Sequence, residues 1–246
     1  ASQTKRQYIN VQHEDSNGNV TAQLYSQIVN PDTRLVTILH ASPVTGISVN
    51  LEAIAAAIRS IAPEAFIIVD GVQYAAHGGI KIDQYNIDGY AISPYKMYSR
   101  HGFGFAWVSD RLTQMRHEQL LDGPDENWEL GTRDTGSYAT LSDVVKYLEW
   151  LGGKIENTDS RSVKLYNAAK AIAAQETALT ELLIYGEDNI KGLKDLKGIE
   201  IIGGEKNLNR KGLVSFRING IPSQVLVDFL NDKGIRTHVR KADHYS

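Results

Sequence analysis

The chain has 246 residues, no cysteine, and a formal net charge of −3 from 26 basic and 29 acidic side chains. That balance gives no electrostatic case for nucleic acid or an anionic membrane surface as partner. The missing cysteine excludes disulfides, thiolate zinc sites, iron–sulfur clusters and a cysteine nucleophile within these residues, and it fits a reducing, cytoplasmic setting.

In chain order, Gln7 to Gln12 reads as a short early strand. Arg34 to His40 is a β-branched run that stops at a turn-rich segment. From Asn50 to Ser60, Leu51, Ile54, Ala55 and Ile58 recur at helical spacing behind Asn50, a suitable N-cap. Phe66 to Asp70 is a second strand, stopped by Gly71. Strand, helix, strand is the pattern of a βαβ unit in a parallel sheet, and such near-continuous apolar strands suit a sheet covered on both faces. Asp88 to Ile92 and Gly104 to Val108 add two strands. The loop between them is too short for a helical crossover, so this pair is expected antiparallel.

A helix is expected from Leu141 to Leu151, stopped by Gly152-Gly153, and a longer one from Arg161 to Leu183. An α+β pattern follows. It has strands at Ile199 to Ile202 and Leu213 to Ile218, a helix from Ser223 to Lys233, Gly234 as its stop, and a last strand at Ile235 to Val239. The boundary falls near Gly152-Gly153, which divides residues 1–152, part of a large domain, from 153–246, a linker helix and a small domain. The apolar runs are strand-sized, so no membrane span is expected. The histidines are scattered without metal-like spacing, so no metal site is expected.

Three segments fall at the carboxyl ends of expected strands, where open α/β sheets bind ligands. They are His40 to Gly46, then Asp70-Gly71-Val72-Gln73 continuing to His77, then Ser93-Pro94-Tyr95-Lys96. Alone, each is an ordinary turn. Together they hold an acid, an amide, a hydroxyl and a lysine in one order. A lysine in a partly desolvated pocket can form a Schiff base with an aldehyde cofactor. An acid beside a pyridine nitrogen keeps that ring an electron sink. A hydroxyl with backbone N–H groups holds a phosphate. His77, four residues beyond Gln73, stands either near such a cofactor or as a support of its own loop.

The ordered set resembles the class V aminotransferase family of pyridoxal-phosphate enzymes, which includes cysteine desulfurases, selenocysteine lyases and isopenicillin-epimerase-like proteins. The resemblance rests on Val69 to Gln73, Ser93 to Lys96, the glycine-rich Gly102 to Phe105, His40 to Gly46 (similar to His-x-Ser-x-x-Thr-Gly), and Trp128-Glu129-Leu130-Gly131-Thr132. Tyr147 to Gly152 is similar to a desulfurase-like subgroup. The resemblance implies an α/β, aminotransferase-type (fold type I) architecture, with a mostly parallel sheet in the large domain and a small α+β domain.

It also implies roles for single residues. Lys96 would carry pyridoxal 5'-phosphate as an internal Schiff base and then move the substrate α-proton. Asp70 would pair with the pyridine nitrogen, Gln73 with the phenolic oxygen, and Ser93 with the phosphate. Thr132 would reach a phosphate in the neighbouring subunit of a homodimer, and Thr45 would lie near the ring. The substrate would be a small molecule, an amino acid, with desulfurase-like or lyase chemistry preferred over transamination or epimerisation.

Three departures stand out. Tyr95 precedes the lysine where many members have a phosphate-binding histidine. Pro43 stands where many have asparagine. The segment Thr237 to Ser246 has no cysteine where desulfurases place their nucleophile. In the family pattern the ring-stacking residue and the carboxylate-gripping arginine belong to segments outside these residues, so the chain is expected to be a piece of a longer enzyme. A reading of another class is a cofactor-free relative that keeps the fold for interaction.

Overall fold

The computed structural model describes residues 6–14, 16–124, 127–132 and 134–240. They form two compact units. The first takes the described residues of Ala1–Gln12, Val20–His40 and Val49–Ile172, and the second those of His13–Asn19, Ala41–Ser48 and Ala173–Ser246.

In the first unit, helix α1 (Ala22–Ile28) starts where the Thr21 hydroxyl accepts from Leu24 N. Strand β1 (Leu35–Leu39) leads to helix α2 (Leu51–Ile61), capped by the Asn50 side chain on Ala53 N. Strand β2 (Phe66–Asp70) and the one-turn helix α3 (Ile82–Tyr85) follow. Strands β3 (Gly89–Ile92) and β4 (Phe105–Val108), the short helix α4 (Asp110–Thr113) and the long helices α5 (Thr135–Ile155) and α6 (Arg161–Tyr185) complete the run, with α6 continuing into the second unit.

The sheet order is β1-β2-β3-β4. β1 and β2 pair in parallel with Ile38 opposite Val69, and β2 and β3 in parallel with Asp70 opposite Ala91. β3 and β4 run antiparallel, as the short connection requires. The apolar stripe of α2 (Leu51, Ile54, Ala55, Ile58) buries against Val36 and Ile38 of β1 and Ile67 and Val69 of β2. On the opposite face of β1, Leu35 and Leu39 stay exposed. The sequence pattern suits cover on both faces, whereas the core cluster lies on one face of β1 and β2 among the described residues.

One ionic clamp holds the start of the sheet. Asp88, just ahead of β3, is almost wholly buried. Its carboxylate accepts from Arg59 Nη2 at 2.7 Å, Arg111 Nη2 at 2.8 Å and Ile67 N at 2.8 Å. Arg59 also donates to the carbonyls of Pro63, Ala65 and Asn86, and Arg111 to that of Ala65. The end of α2, the start of β2, the start of β3 and α4 therefore meet at one carboxylate. Burial alone raises the Asp88 pKa; hydrogen bonds from Arg111, Ile67 N and Arg59 outweigh it and hold the group below the usual carboxylate range.

Three expectations need correction. Gln7 to Gln12 is irregular chain, not a strand. Gly152-Gly153 does not stop α5, which starts earlier, at the Asp134 cap, and runs on to Ile155. A Cβ on Gly152 would lie 1.8 Å from the Lys164 carbonyl oxygen, so the glycine is a close-approach site against the start of α6 rather than a stop. Ile235 to Val239 is not a strand. The second unit has the hairpin of β5 (Gly186–Glu187) with β6 (Ile190–Lys191), and an antiparallel pair of β7 (Ile199–Ile201) with β8 (Phe216–Ile218). Helix α7 (Ser223–Asp232) follows, and among the described residues β7 and β8 form a two-stranded sheet. In this unit Arg210 donates to the carbonyls of Thr45, Ile202 and Gly204 and holds the 41–48 segment. No helix among the described residues is long and apolar enough to cross a membrane.

Replacing Asp88 by Ala strands two guanidinium groups, with an expected loss of about 3–5 kcal/mol in urea unfolding. Because the folded pKa is depressed, the stabilisation is fully present above the unfolded carboxylate value near ~4 and is lost as pH falls through the folded value. Asp88→Asn is expected to flatten that acid limb; an unchanged limb would remove Asp88 as its source. Gly152→Ala forces α5 away from Lys164 and is expected to destabilise by about 1–3 kcal/mol, read as a lower urea midpoint.

Candidate active site

The parallel strands end on one edge of the sheet, so His40, Asp70 and Ser93 follow each other along that rim. His40 N donates to the Asp70 carbonyl at 2.9 Å, and Gly71 N to the Ala91 carbonyl at 2.9 Å, which carries the ladder one step past the strands. Asp70 is exposed, and its Oδ1 accepts from Val72 N at 2.9 Å. The carboxylate thus shapes its own turn and stays open to a ligand.

Gly71 must be glycine here. A Cβ would sit 2.1 Å from the ring of Tyr90, which comes up from β3 beneath the turn. The chain then enters a 3-10 turn, Tyr74–Ala76, closed by Ala75 N to the Gly71 carbonyl and His77 N to the Tyr74 carbonyl. This brings Gln73 and His77 to the same side, with Gln73 Nε2 3.0 Å from His77 Nε2.

Lys96 arrives from the neighbouring strand. After Ser93, a 3-10 turn over Pro94–Met97 begins with buried Pro94 and ends at Tyr98 in the left-handed region (φ 70°). Lys96 N donates to the Ser93 carbonyl, and Lys96 Nζ donates to Gln73 Oε1 at 2.8 Å. Tyr95 is half-exposed and lies flat on His101, with ring centroids 4.2 Å apart.

Beneath this rim lies a group of aromatic rings. His40, 3% exposed, stacks on Tyr74 at 3.5 Å and meets Tyr85 and Tyr90 edge-on. His40 Nδ1 and the Tyr90 hydroxyl are 2.8 Å apart. Burial pushes the phenol of Tyr90 well up, with added contributions from Tyr85, Tyr74 and Asp70. Tyr74 and Tyr85 are also raised, chiefly by burial. The phenols therefore stay protonated and serve as hydrogen-bonding walls.

The structure gathers Lys96, Gln73 and His77 into one hydrogen-bonded chain, with Asp70 and Ser93 at the ends of the adjoining strands. Thr132 is exposed on the segment ahead of α5, and Thr45, whose hydroxyl accepts from Ile47 N, belongs to the second unit. The hydrogen-bonded group includes neither. Sequence reasoning missed the support beneath the rim: Tyr74, Tyr85, Tyr90 and the His40 ring. The only hint was the tyrosine-rich stretch from 74 to 90, which has no periodicity of its own. The donor set fits an aldehyde-bearing pyridine with a phosphate: one amine, one open carboxylate, one amide and one hydroxyl on a single rim.

The model of the aminotransferase class-V family matches residues 1–241. A probable cysteine desulfurase of Halobacterium salinarum is 27% identical over 244 residues, covering 92% of this chain and 52% of its own length. The aminotransferase-like protein FGM3 of Gibberella zeae is 43% identical over 211 residues, covering 84% and 48%. Among solved structures, a NifS-like protein superposes with a TM-score of 0.71 at 19% identity, over 97% of this chain and 58% of that one. The apo cysteine desulfurase of Thermococcus onnurineus gives 0.65 at 18%, over 94% and 54%. The chain belongs to the aminotransferase class-V family and has its α/β fold, that of pyridoxal-phosphate enzymes of fold type I. It spans about half the length of the curated relatives it matches.

Gly71→Ala would drive a methyl group into the Tyr90 ring. The expected result is a loss of about 1–3 kcal/mol and an altered near-ultraviolet circular dichroism signal from the tyrosines. An unchanged spectrum would mean that the turn tolerates displacement.

Proposed function

We propose that this chain binds pyridoxal 5'-phosphate covalently through Lys96 and serves a reaction on an amino acid, with desulfurase-like or lyase chemistry ahead of transamination or epimerisation. The observation that carries the reading is the Lys96 Nζ to Gln73 Oε1 hydrogen bond at 2.8 Å, formed where β2 and β3 end side by side. It joins the lysine to the acid–amide turn that the family pattern pairs with it.

Bound cofactor supplies an aldehyde and an electron-withdrawing ring that stabilises negative charge at the amino-acid α-carbon. Lys96 would provide the amine that holds the cofactor, and its Nζ would take and return the α-proton. Asp70, open at the end of β2, would pair with the pyridine nitrogen. Gln73 would hydrogen-bond the phenolic oxygen, with His77 beside it. Ser93 and Tyr95 would hold the phosphate, Tyr95 taking the place of the family's histidine. Thr132, exposed ahead of α5, serves the neighbouring subunit of a homodimer, and Thr45 is the residue that the family pattern puts near the ring. In this reading residues 1–152 form part of the cofactor-binding large domain, residues 153–246 belong to the linker helix and small domain, and the enzyme works in the cytoplasm, as the cysteine-free composition favours.

The names of the relatives favour desulfurase-like chemistry. These residues hold no cysteine to carry a persulfide, which favours β-elimination or transfer without a thiol of this segment.

The test is borohydride reduction of the full-length gene product after incubation with pyridoxal phosphate, followed by peptide mass spectrometry. A phosphopyridoxyl group on Lys96 is expected, and Lys96→Ala is expected to lose it together with at least about 100-fold in kcat. A full-length protein that stays unlabelled and colourless would overturn the reading in favour of a non-catalytic relative, which Tyr95 and Pro43 would then explain.

A further inference from the structure

We propose that His77 is a positioning residue for Lys96: its unprotonated Nε2 fixes the Gln73 amide so that the amide oxygen faces the lysine. The inference rests on bonding alternatives, and it deepens the reading of Lys96 as the cofactor-binding amine.

An ammonium group has three donors and no acceptor. The atom of Gln73 that faces Lys96 Nζ at 2.8 Å must therefore be the carbonyl oxygen, as the structure has it. That leaves the amide nitrogen, a donor only, 3.0 Å from His77 Nε2. Two N–H groups cannot share that line, so Nε2 must carry a lone pair and the ring proton must sit on Nδ1. The tautomer of His77 and the orientation of Gln73 are thus one choice. With the proton on Nε2, the amide would have to turn over and present N–H groups to the ammonium.

The backbone makes this coupling tight. Gln73 and His77 flank a single 3-10 turn, closed by His77 N on the Tyr74 carbonyl. The Tyr74 ring is pinned under that turn by its stack on His40. The two side chains leave the turn four residues apart with little freedom to separate. His77 reaches the lysine through the Gln73 amide, so the effect proposed for it is one of placement.

Two measurements test the proposal. Nitrogen-15 spectra of the histidine-labelled full-length protein, without cofactor, are expected to show His77 Nε2 as the unprotonated type. In Gln73→Glu they are expected to show it protonated, because a carboxylate accepts from both Lys96 and His77. A fold-supporting role alone would not reverse the tautomer. Next, the rate of borohydride-trapped pyridoxylation at Lys96 is expected to fall at least threefold in His77→Phe. His77→Gln, whose side-chain oxygen reaches the position of Nε2 and can still accept from the amide, is expected to recover most of it.

A protonated Nε2 in the wild-type protein would overturn the proposal, as would a His77→Phe rate equal to wild type. If Lys96 takes no adduct in any form, the reading of the lysine fails by itself, and the tautomer measurement still decides this one.

Discussion

The contact between Gly71 and the Tyr90 ring is the constraint from which the rim takes its shape. A parallel strand that ends normally turns away from the sheet. Here the turn after β2 settles onto the ring of the next strand because position 71 has no side chain to hold it off. Once the turn lies low, Gly71 N reaches the Ala91 carbonyl, and the 3-10 turn closes over Tyr74. Gln73 then meets the lysine that β3 delivers. The amide–lysine contact is downstream of a backbone approach that only glycine permits.

The aromatic rings below explain why the low turn is stable. A histidine buried at the end of β1 is expensive to leave unpaired. His40 has the Tyr90 hydroxyl at 2.8 Å and the face of Tyr74 at 3.5 Å. It links the last residue of one strand to the turn after the second and to the ring of the third. Polar side chains packed this way fix direction as well as position, since each hydrogen bond and each stack has a narrow geometry. The opposite end of the sheet is fixed by different means, the Asp88 carboxylate between two arginines. Charge anchors the closed end and neutral aromatic contacts anchor the rim.

Much of this was legible in the sequence, for physical reasons. The strands Phe66 to Asp70 and Asp88 to Ile92 are continuous apolar runs bounded by turn residues, and α2 shows its buried stripe as a 3.6-residue period behind an asparagine cap. The antiparallel β3–β4 pair followed from loop length alone. The errors came where tertiary contact overrides local preference. Gly152 looks like a helix stop, but its role is set by the backbone of Lys164, which no local pattern announces. Ile235 to Val239 has the composition of a strand but pairs with no strand among the described residues, and a strand is defined by its partner. At the rim, the acid, the amide and the lysine were readable because their order along the chain is itself the signal. The rings beneath them were not, because Tyr74, Tyr85 and Tyr90 share neither period nor motif, and the motif that begins at His40 says nothing of the ring it stacks on.

The substitution at Tyr95 shows how a departure in one residue can be met by packing. A histidine before the lysine would offer a ring nitrogen, short and able to carry charge. Tyrosine offers a hydroxyl at the end of a longer, neutral ring. Left to rotate, that ring would sweep its hydroxyl over a wide arc at a half-exposed position. The stack on His101, with planes 21° apart, narrows the arc to one plane. His101 follows from the turn that Tyr98 opens in the left-handed region, so the strained backbone at Tyr98 and the aim of Tyr95 are parts of one local arrangement. Position 95 therefore carries a neutral hydroxyl in place of a ring nitrogen, on a ring that the stack on His101 holds in one plane.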